Sequence, residues 1–200
     1  MNKELILKND NPVKVDLSTP SGYKDLFANR CKVWTNGESQ EHLGLDPKEL
    51  KELQDFMMVR KLQAWIKYVD KNPVSYSLMC LLTSPNDLHA LPEVILPEEI
   101  GNLDDLFGEI NGSPTNNVIL LNGIGTVPKH RGKGYASEVI AAREAYIPEF
   151  AKANNAKFVL IYTWVGNRLP KACVQGFRWV ADLDPRDPTK IFGYKSIDLD

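Results

Sequence analysis

The sequence predicts an α/β (α+β) fold, a mixed central sheet with helices on both faces, and three features carry the prediction. Two stretches, "NVILLNGIGTV" from residue 117 and "KFVLIYTW" from residue 157, are apolar at adjacent as well as alternate positions, as central strands buried on both faces require. Between them lie a glycine-rich basic turn and the helix-patterned "YASEVIAAREAYIPEFAKAN". After them, "GFRWVAD" and "KIFGYKSI" flank the turn-rich "LDPRDPT" and predict a closing antiparallel pair.

Taken in order, "ELILK" and "PVKVDLS" alternate as strands do. "STPSGYKDLFANRCKVW" follows a Ser/Thr-Pro start with Tyr23, Leu26, Phe27 and Cys31 near helical spacing, and predicts a helix. Asp46, Pro47 and Glu49 form a capping-box pattern. Leu50, Leu53, Met57, Leu62, Trp65, Ile66 and Val69 then extend the predicted helix from about Pro47 to Val69. Its Met57, Met58 and Trp65 suit a core better than a ligand pocket. "VSYSLMCLLTS", residues 74–84, predicts a buried strand. Residues 84–117 carry seven carboxylates, four prolines and three glycines with no Lys or Arg, which predicts an acidic insertion of loop with short pieces of structure. In the helix after the basic turn, Ala136, Val139, Ile140, Arg143 and Ile147 share a face, and Pro148 is expected to kink the helix or end its first part. "NRLPKACV" predicts a short helix with Asn167 as its N-cap.

Composition narrows the function. Two hundred residues with 43% hydrophobic content suit one domain over 1–200. A formal charge of −2, from 24 basic against 26 acidic residues, gives no global attraction to nucleic acid or an anionic membrane. No apolar run approaches a membrane span and "MNKELILKND" has no leader-like core, so a cytoplasmic protein is expected. Cys31, Cys80 and Cys173 are odd in number and lack a CxxC, which fits reduced thiols. His42, His89 and His130 lack metal-ligand spacing, so no metal is expected, and no Ser-His-Asp order is present.

The turn "GIGTVPKHRGKGYASEVI", residues 123–140, holds the chemistry. A nucleotide P-loop would need Gly where Val127 stands and Ser or Thr where Gly134 stands. The dinucleotide fingerprint fails too, because Gly123 and Gly125 lead to Pro128, and Gly132 and Gly134 lead to Ser137. A strand, a basic turn and a helix N-terminus at Gly134 remain. Together they expose backbone N–H groups to an anion, with Lys129, His130, Arg131 and Lys133 adding to the loop.

On these residues the sequence resembles the GCN5-related N-acetyltransferase (GNAT) superfamily. Arg131, Gly134 and Ala136 in "RGKGYA" match its Q/R-x-x-G-x-G/A motif, Asn167 falls where the family has an Asn after its fifth strand, and Gly176-Phe177 matches the "GF" ending its fourth helix. The likeness is close over residues 118–182. It implies the GNAT fold with a splayed pair of parallel strands, acetyl-CoA as cosubstrate, its pyrophosphate on the loop amides through Tyr135 and Ala136, and its pantetheine on the backbone of Ile124, Gly125 and Thr126. Asn167 is implied in cofactor binding.

The transfer chemistry leaves choices open. The family often places a Tyr acid four residues before the Gly of "GF", where this chain has Ala172, with Cys173 and Tyr162 the nearest substitutes. Asn122 shares the parity of Ile124 and Thr126 and is a candidate to hold a proton-relaying water; Glu109 in "LFGEI" is a candidate base if burial raises its pKa. His89 is a weaker one. The acceptor expected is a small, cationic primary amine, drawn by the acidic segment; the alternatives are a protein N-terminus or lysine, or a non-catalytic acyl-CoA-binding or sensing module. A monomer or homodimer is expected.

Overall fold

The computed structural model describes residues 11–34, 58–84, 87, 108–110, 113–121, 123–164, 176–180 and 190–197. The first described strand, β1 (Val13–Val15), leads to helix α1 (Pro20–Trp34). Thr19 caps α1 as the Ser/Thr-Pro start predicts: its Oγ1 accepts from the Gly22 N–H at 3.2 Å and Pro20 opens the first turn. Gly22 is required there, since a Cβ would lie 2.2 Å from the Asp16 carbonyl oxygen.

The expected helix over 47–69 is corrected by the structure in its second half, residues 47–57 lying outside the described residues. Met58 and Val59 are helical, but Gln63–Val69 form strand β2, paired antiparallel with β1 and with β3 (Asn72–Leu82). Ala64 and Ile66 pack with α1, whereas Trp65 between them packs on the opposite side of the sheet, which is the two-residue period of a strand. Lys61, with φ 48°, stands between the two states. Asp70 and Lys71, both at positive φ, then make a two-residue hairpin turn into β3.

A separate two-stranded sheet, β4 (Glu109–Ile110) and β5 (Ser113–Pro114), is the short structure expected in the acidic insertion. The run "NVILLNGIGTV" is not one strand but two, β6 (Asn117–Leu121) and β7 (Ile124–Thr126). A 3-10 turn at Pro128–His130 precedes helix α2 (Tyr135–Ala153), which continues through Pro148 rather than ending there. Strand β8 (Ala156–Trp164) follows, and β9 (Arg178–Val180) and β10 (Lys190–Ser196) are the expected antiparallel pair.

The main sheet runs β1-β2-β3-β6-β8-β10-β9, with β7 also on β3. Among the described strands only β6 and β8 are parallel neighbours. On one face α1 contributes Leu26 and Val33 to a cluster with Ala64, Ile66, Tyr76, Leu78 and Val127. On the other, Val139, Ile147 and Phe150 of α2 meet Trp65, Met79, Leu81, Ile119, Leu121, Val159 and Ile161. No helix among the described residues is long and apolar enough to cross a membrane.

Candidate active site

The site begins where β6 ends. β6 pairs with β3 on one side and with β8 on the other, up to Leu121 opposite Ile161. β7 pairs with β3 alone among the described strands, while β8 continues to Trp164 beside β10, so the two parallel lines of chain part after Leu121.

A one-residue insertion accompanies the parting. Cys80 faces Leu120, but Ser77 faces Ile124, so three residues on β3 are matched by four on the facing chain (80 − 77 = 3, 124 − 120 = 4). Ile119, Leu121 and Ile124 therefore all pack against the α2-side cluster, and Val127 packs on the α1 side. Gly125 lies on the α1 side too: a Cβ there would come 2.6 Å from Val33 Cγ1 and 2.8 Å from Tyr76 Cε1. The parity linking Asn122 to Ile124 and Thr126 assumed uninterrupted alternation, which this insertion removes. Asn122 itself lies outside the described residues.

The hydrogen bonds fix which way β7 points. Leu78 N–H donates to Gly123 O and Val127 N–H donates to Val74 O, both at 2.9 Å. Alternate residues of an antiparallel pair exchange bonds, so Gly125 turns its N–H and C=O to β3, and Ile124 and Thr126 turn theirs away, toward the gap. The Thr126 carbonyl oxygen accepts from Arg131 Nε at 3.2 Å. Ser75 Oγ lies 2.9 Å from both Gly125 O and Thr126 Oγ1 and steadies the strand from behind.

The chain then turns into the helix. Gly132 and Gly134 have φ of 76° and 84°, a left-handed conformation that glycine adopts without strain, and a Cβ at either would meet nothing within 4 Å. Gly134 is the N-cap of α2 and supplies no side-chain cap. Among the described residues no side chain caps the first N–H groups of α2, at Tyr135, Ala136 and Ser137, at the positive end of a 19-residue helix. Lys129, Arg131 and Lys133 around it are exposed. His130 Nδ1 is buried without a hydrogen-bond partner, and its ring stands 6.3 Å from the Tyr135 ring. Partial burial, with Lys133 and Lys129 nearby, pushes its pKa below the ordinary imidazole value.

Residues not singled out from sequence anchor this helix end. Buried Lys67 of β2 pairs with Glu138 in the first turn of α2, and its Nζ lies 5.5 Å from the Tyr135 ring centroid. Ser77 Oγ donates to Val139 O at 2.8 Å. Lys67 was hidden inside the expected helix; as a strand residue it sits on the face that α2 covers.

Of the other candidates, Glu109 has its backbone in the β4–β5 hairpin, off the main sheet, while its side chain lies outside the description. Asn167, Ala172 and Cys173 also lie outside the described residues, as does the Tyr162 side chain, and the same holds for His42 and His89. Asp87 of the acidic segment is held by local structure: its Oδ2 accepts from Thr83 N–H at 2.6 Å and Ser84 N–H at 3.1 Å, and its Oδ1 faces Arg60 at 3.4 Å.

No protein-family model and no curated protein sequence matches this chain. Among solved structures it is similar to a chain of the NatC complex bound to Gag peptide and CoA, with 11% identity, a TM-score of 0.52 and coverage of 94% of this chain and 99% of that one. An acetyltransferase from Thermus thermophilus aligns over 94% of this chain and 95% of its own at 16% identity and a TM-score of 0.48. An aminoglycoside antibiotic 6'-N-acetyltransferase from Acinetobacter baumannii aligns over 82% and 86% at 17% identity and 0.46. With the parting of β6–β7 from β8 and the helix that follows, the chain has the GNAT fold.

Proposed function

We propose that the chain is a GNAT-type N-acetyltransferase that takes acetyl-CoA as cosubstrate and acetylates a primary amine by direct attack. The observation that carries this is the sequence of two donor sets along one short path: the outward backbone of Ile124 and Thr126, then the uncapped N-terminus of α2 behind Gly132 and Gly134. The diphosphate fits the helix end, which offers N–H groups, a positive dipole and room where side chains are lacking. The extended pantetheine arm, with its amides, fits the edge of β7 that no described strand pairs, where it can bond the Ile124 N–H and C=O and the Thr126 N–H as a strand would.

Acetyl-CoA supplies an activated acetyl group on a fair leaving thiolate. The chain's part is to hold that thioester, to aim the Ile124 or Thr126 N–H at its oxygen, where negative charge develops during attack, and to present the amine deprotonated. Proximity and a backbone donor supply most of what the reaction needs, so the absence of a Tyr at Ala172 is compatible with activity.

The acceptor we propose is a small cationic amine, drawn by the excess of carboxylates in residues 84–117. Asp87, held by Thr83, Ser84 and Arg60, takes no part in that attraction. A peptide amine is the second reading, favoured by the similarity to a protein bound to a peptide and CoA. A panel of polyamines, basic amino acids, aminoglycosides, neutral arylamines and peptides with free N-termini separates these when coenzyme A thiol release is followed. Release that depends on a cationic small amine supports the proposal. Binding of acetyl-CoA with no amine-dependent release contradicts it and leaves a binding module.

A further inference from the structure

The face of α2 that meets the sheet is built from Val139, Ile140, Ile147, Phe150 and Ala151, and one member of that stripe is charged. Arg143 is only 1% exposed, among the largest fully buried side chains described. A guanidinium is costly to bury, and an aliphatic residue would fill such a position. Its contacts show what the charge does instead. Nη1 donates to the Leu78 carbonyl oxygen at 3.4 Å, and Nη2 meets Glu144 Oε1 at 3.0 Å. Glu144 Oε2 in turn accepts from Lys195 Nζ of β10 at 3.0 Å, so the guanidinium is held from the far side.

Leu78 is the residue of β3 at the change of register. It lies between Ser77, which faces Ile124, and Cys80, which faces Leu120, and its own N–H donates to Gly123 O at 2.9 Å. An inserted residue disturbs the ladder, and a side-chain donor to a carbonyl beside it can hold the chain at that point. We infer that Arg143 is a positioning residue that pins the one-residue insertion between β6 and β7 through the Leu78 carbonyl, and so sets the gap on which acyl-donor binding depends. Its effect on the cofactor rests on the acetyl-CoA reading; its effect on the register does not.

Amide hydrogen exchange on the full chain tests the register part directly, in Arg143→Met and Arg143→Lys. In Arg143→Met the Leu78 and Val127 amides, which bond across β3 and β7, should exchange at least about tenfold faster, while the Val118–Leu121 amides of β6 change less than about threefold. Arg143→Lys keeps a donor for the Leu78 carbonyl and should restore most of the protection. Where the Met variant does not fold, Arg143→Gln, polar but shorter, replaces it under the same expectations. Acetyl-CoA affinity should fall about tenfold in Arg143→Met and recover in Arg143→Lys. The inference is overturned if Leu78 and Val127 exchange no faster than the β6 amides, if all amides accelerate together, or if Lys restores nothing. Selective loss of Leu78 and Val127 protection in a chain whose wild type binds no acetyl-CoA would uphold the inference and overturn the acetyltransferase reading instead.

Discussion

β6 and β7 come from one apolar run, two residues apart, yet they end in opposite circumstances. Val118, Ile119 and Leu120 are buried and pair with β3 on one side and β8 on the other, whereas Ile124, Gly125 and Thr126 are half-buried and, among the described strands, pair with β3 alone. The change follows from a single inserted residue and from the termination of β8 pairing at Leu121. A fully satisfied strand supplies stability and can bind nothing through its backbone. A half-satisfied one gives up part of that stability and keeps donors and acceptors for a ligand.

The largest expected effect lies on the β6 side. Leu120→Ala removes a fully buried side chain and should destabilise the fold by about 2–5 kcal/mol in denaturant unfolding. The acetyl-CoA affinity of the folded fraction should change less than about threefold, because the backbone that binds lies beyond the insertion. A matching loss of affinity would erase the distinction between the two strands.

Gly134→Val should act the other way. Its side chain enters the open space before the first N–H groups of α2, and acetyl-CoA affinity by calorimetry should fall about 30-fold or more, roughly 2 kcal/mol. The φ of 84° adds a stability loss of about 1–2 kcal/mol, so affinity is compared at a temperature where both proteins are folded. Unchanged affinity in the folded variant would remove the helix end from the site.

How much of this was legible in the sequence follows the same division. The basic turn, α2, β3, β8 and the closing pair were read because glycine, charge and helical period each mark themselves locally. β2 was not, since Leu62, Trp65, Ile66 and Val69 satisfy a helical stripe as well as a strand buried on both faces. Its hairpin turn, Asp70-Lys71, lacks the glycine that usually announces one. The insertion between β6 and β7 was hidden for a related reason: in a run apolar on both faces, alternation carries no register, so one extra residue leaves no mark. Arg143 stood visibly on an apolar stripe, but its partner is a backbone carbonyl 65 positions away in the chain, which no residue type could reveal.

Arg131→Ala should give a smaller effect. It removes one exposed charge and the bond to the Thr126 carbonyl but leaves the amides, so affinity should fall about fivefold, near 1 kcal/mol, and less at high salt. A loss as large as that of Gly134→Val would shift the weight from backbone to side chain.

His130 gives the smallest and most specific effect. Its pKa is lowered in the free loop by burial and by Lys133 and Lys129, and an anion placed there favours the imidazolium. Because the bound-state pKa then exceeds the free one, binding takes up protons, and affinity rises as pH falls through the interval between them. Calorimetry in buffers of different ionisation enthalpy should show this uptake, and His130→Gln should reduce it while nearly preserving affinity at about pH 8, above the imidazole range. Equal uptake in both proteins would assign it to the ligand's own phosphates.

Amide chemical shifts followed through an acetyl-CoA titration bear on the whole comparison at once. Saturable shifts should be largest at Ile124, Thr126 and Gly132 through Ser137, with Val118 to Leu121 nearly still. Absence of binding, or shifts spread equally over β6 and β7, would contradict the assignment of the parted strand and the open helix end as the acyl-donor site.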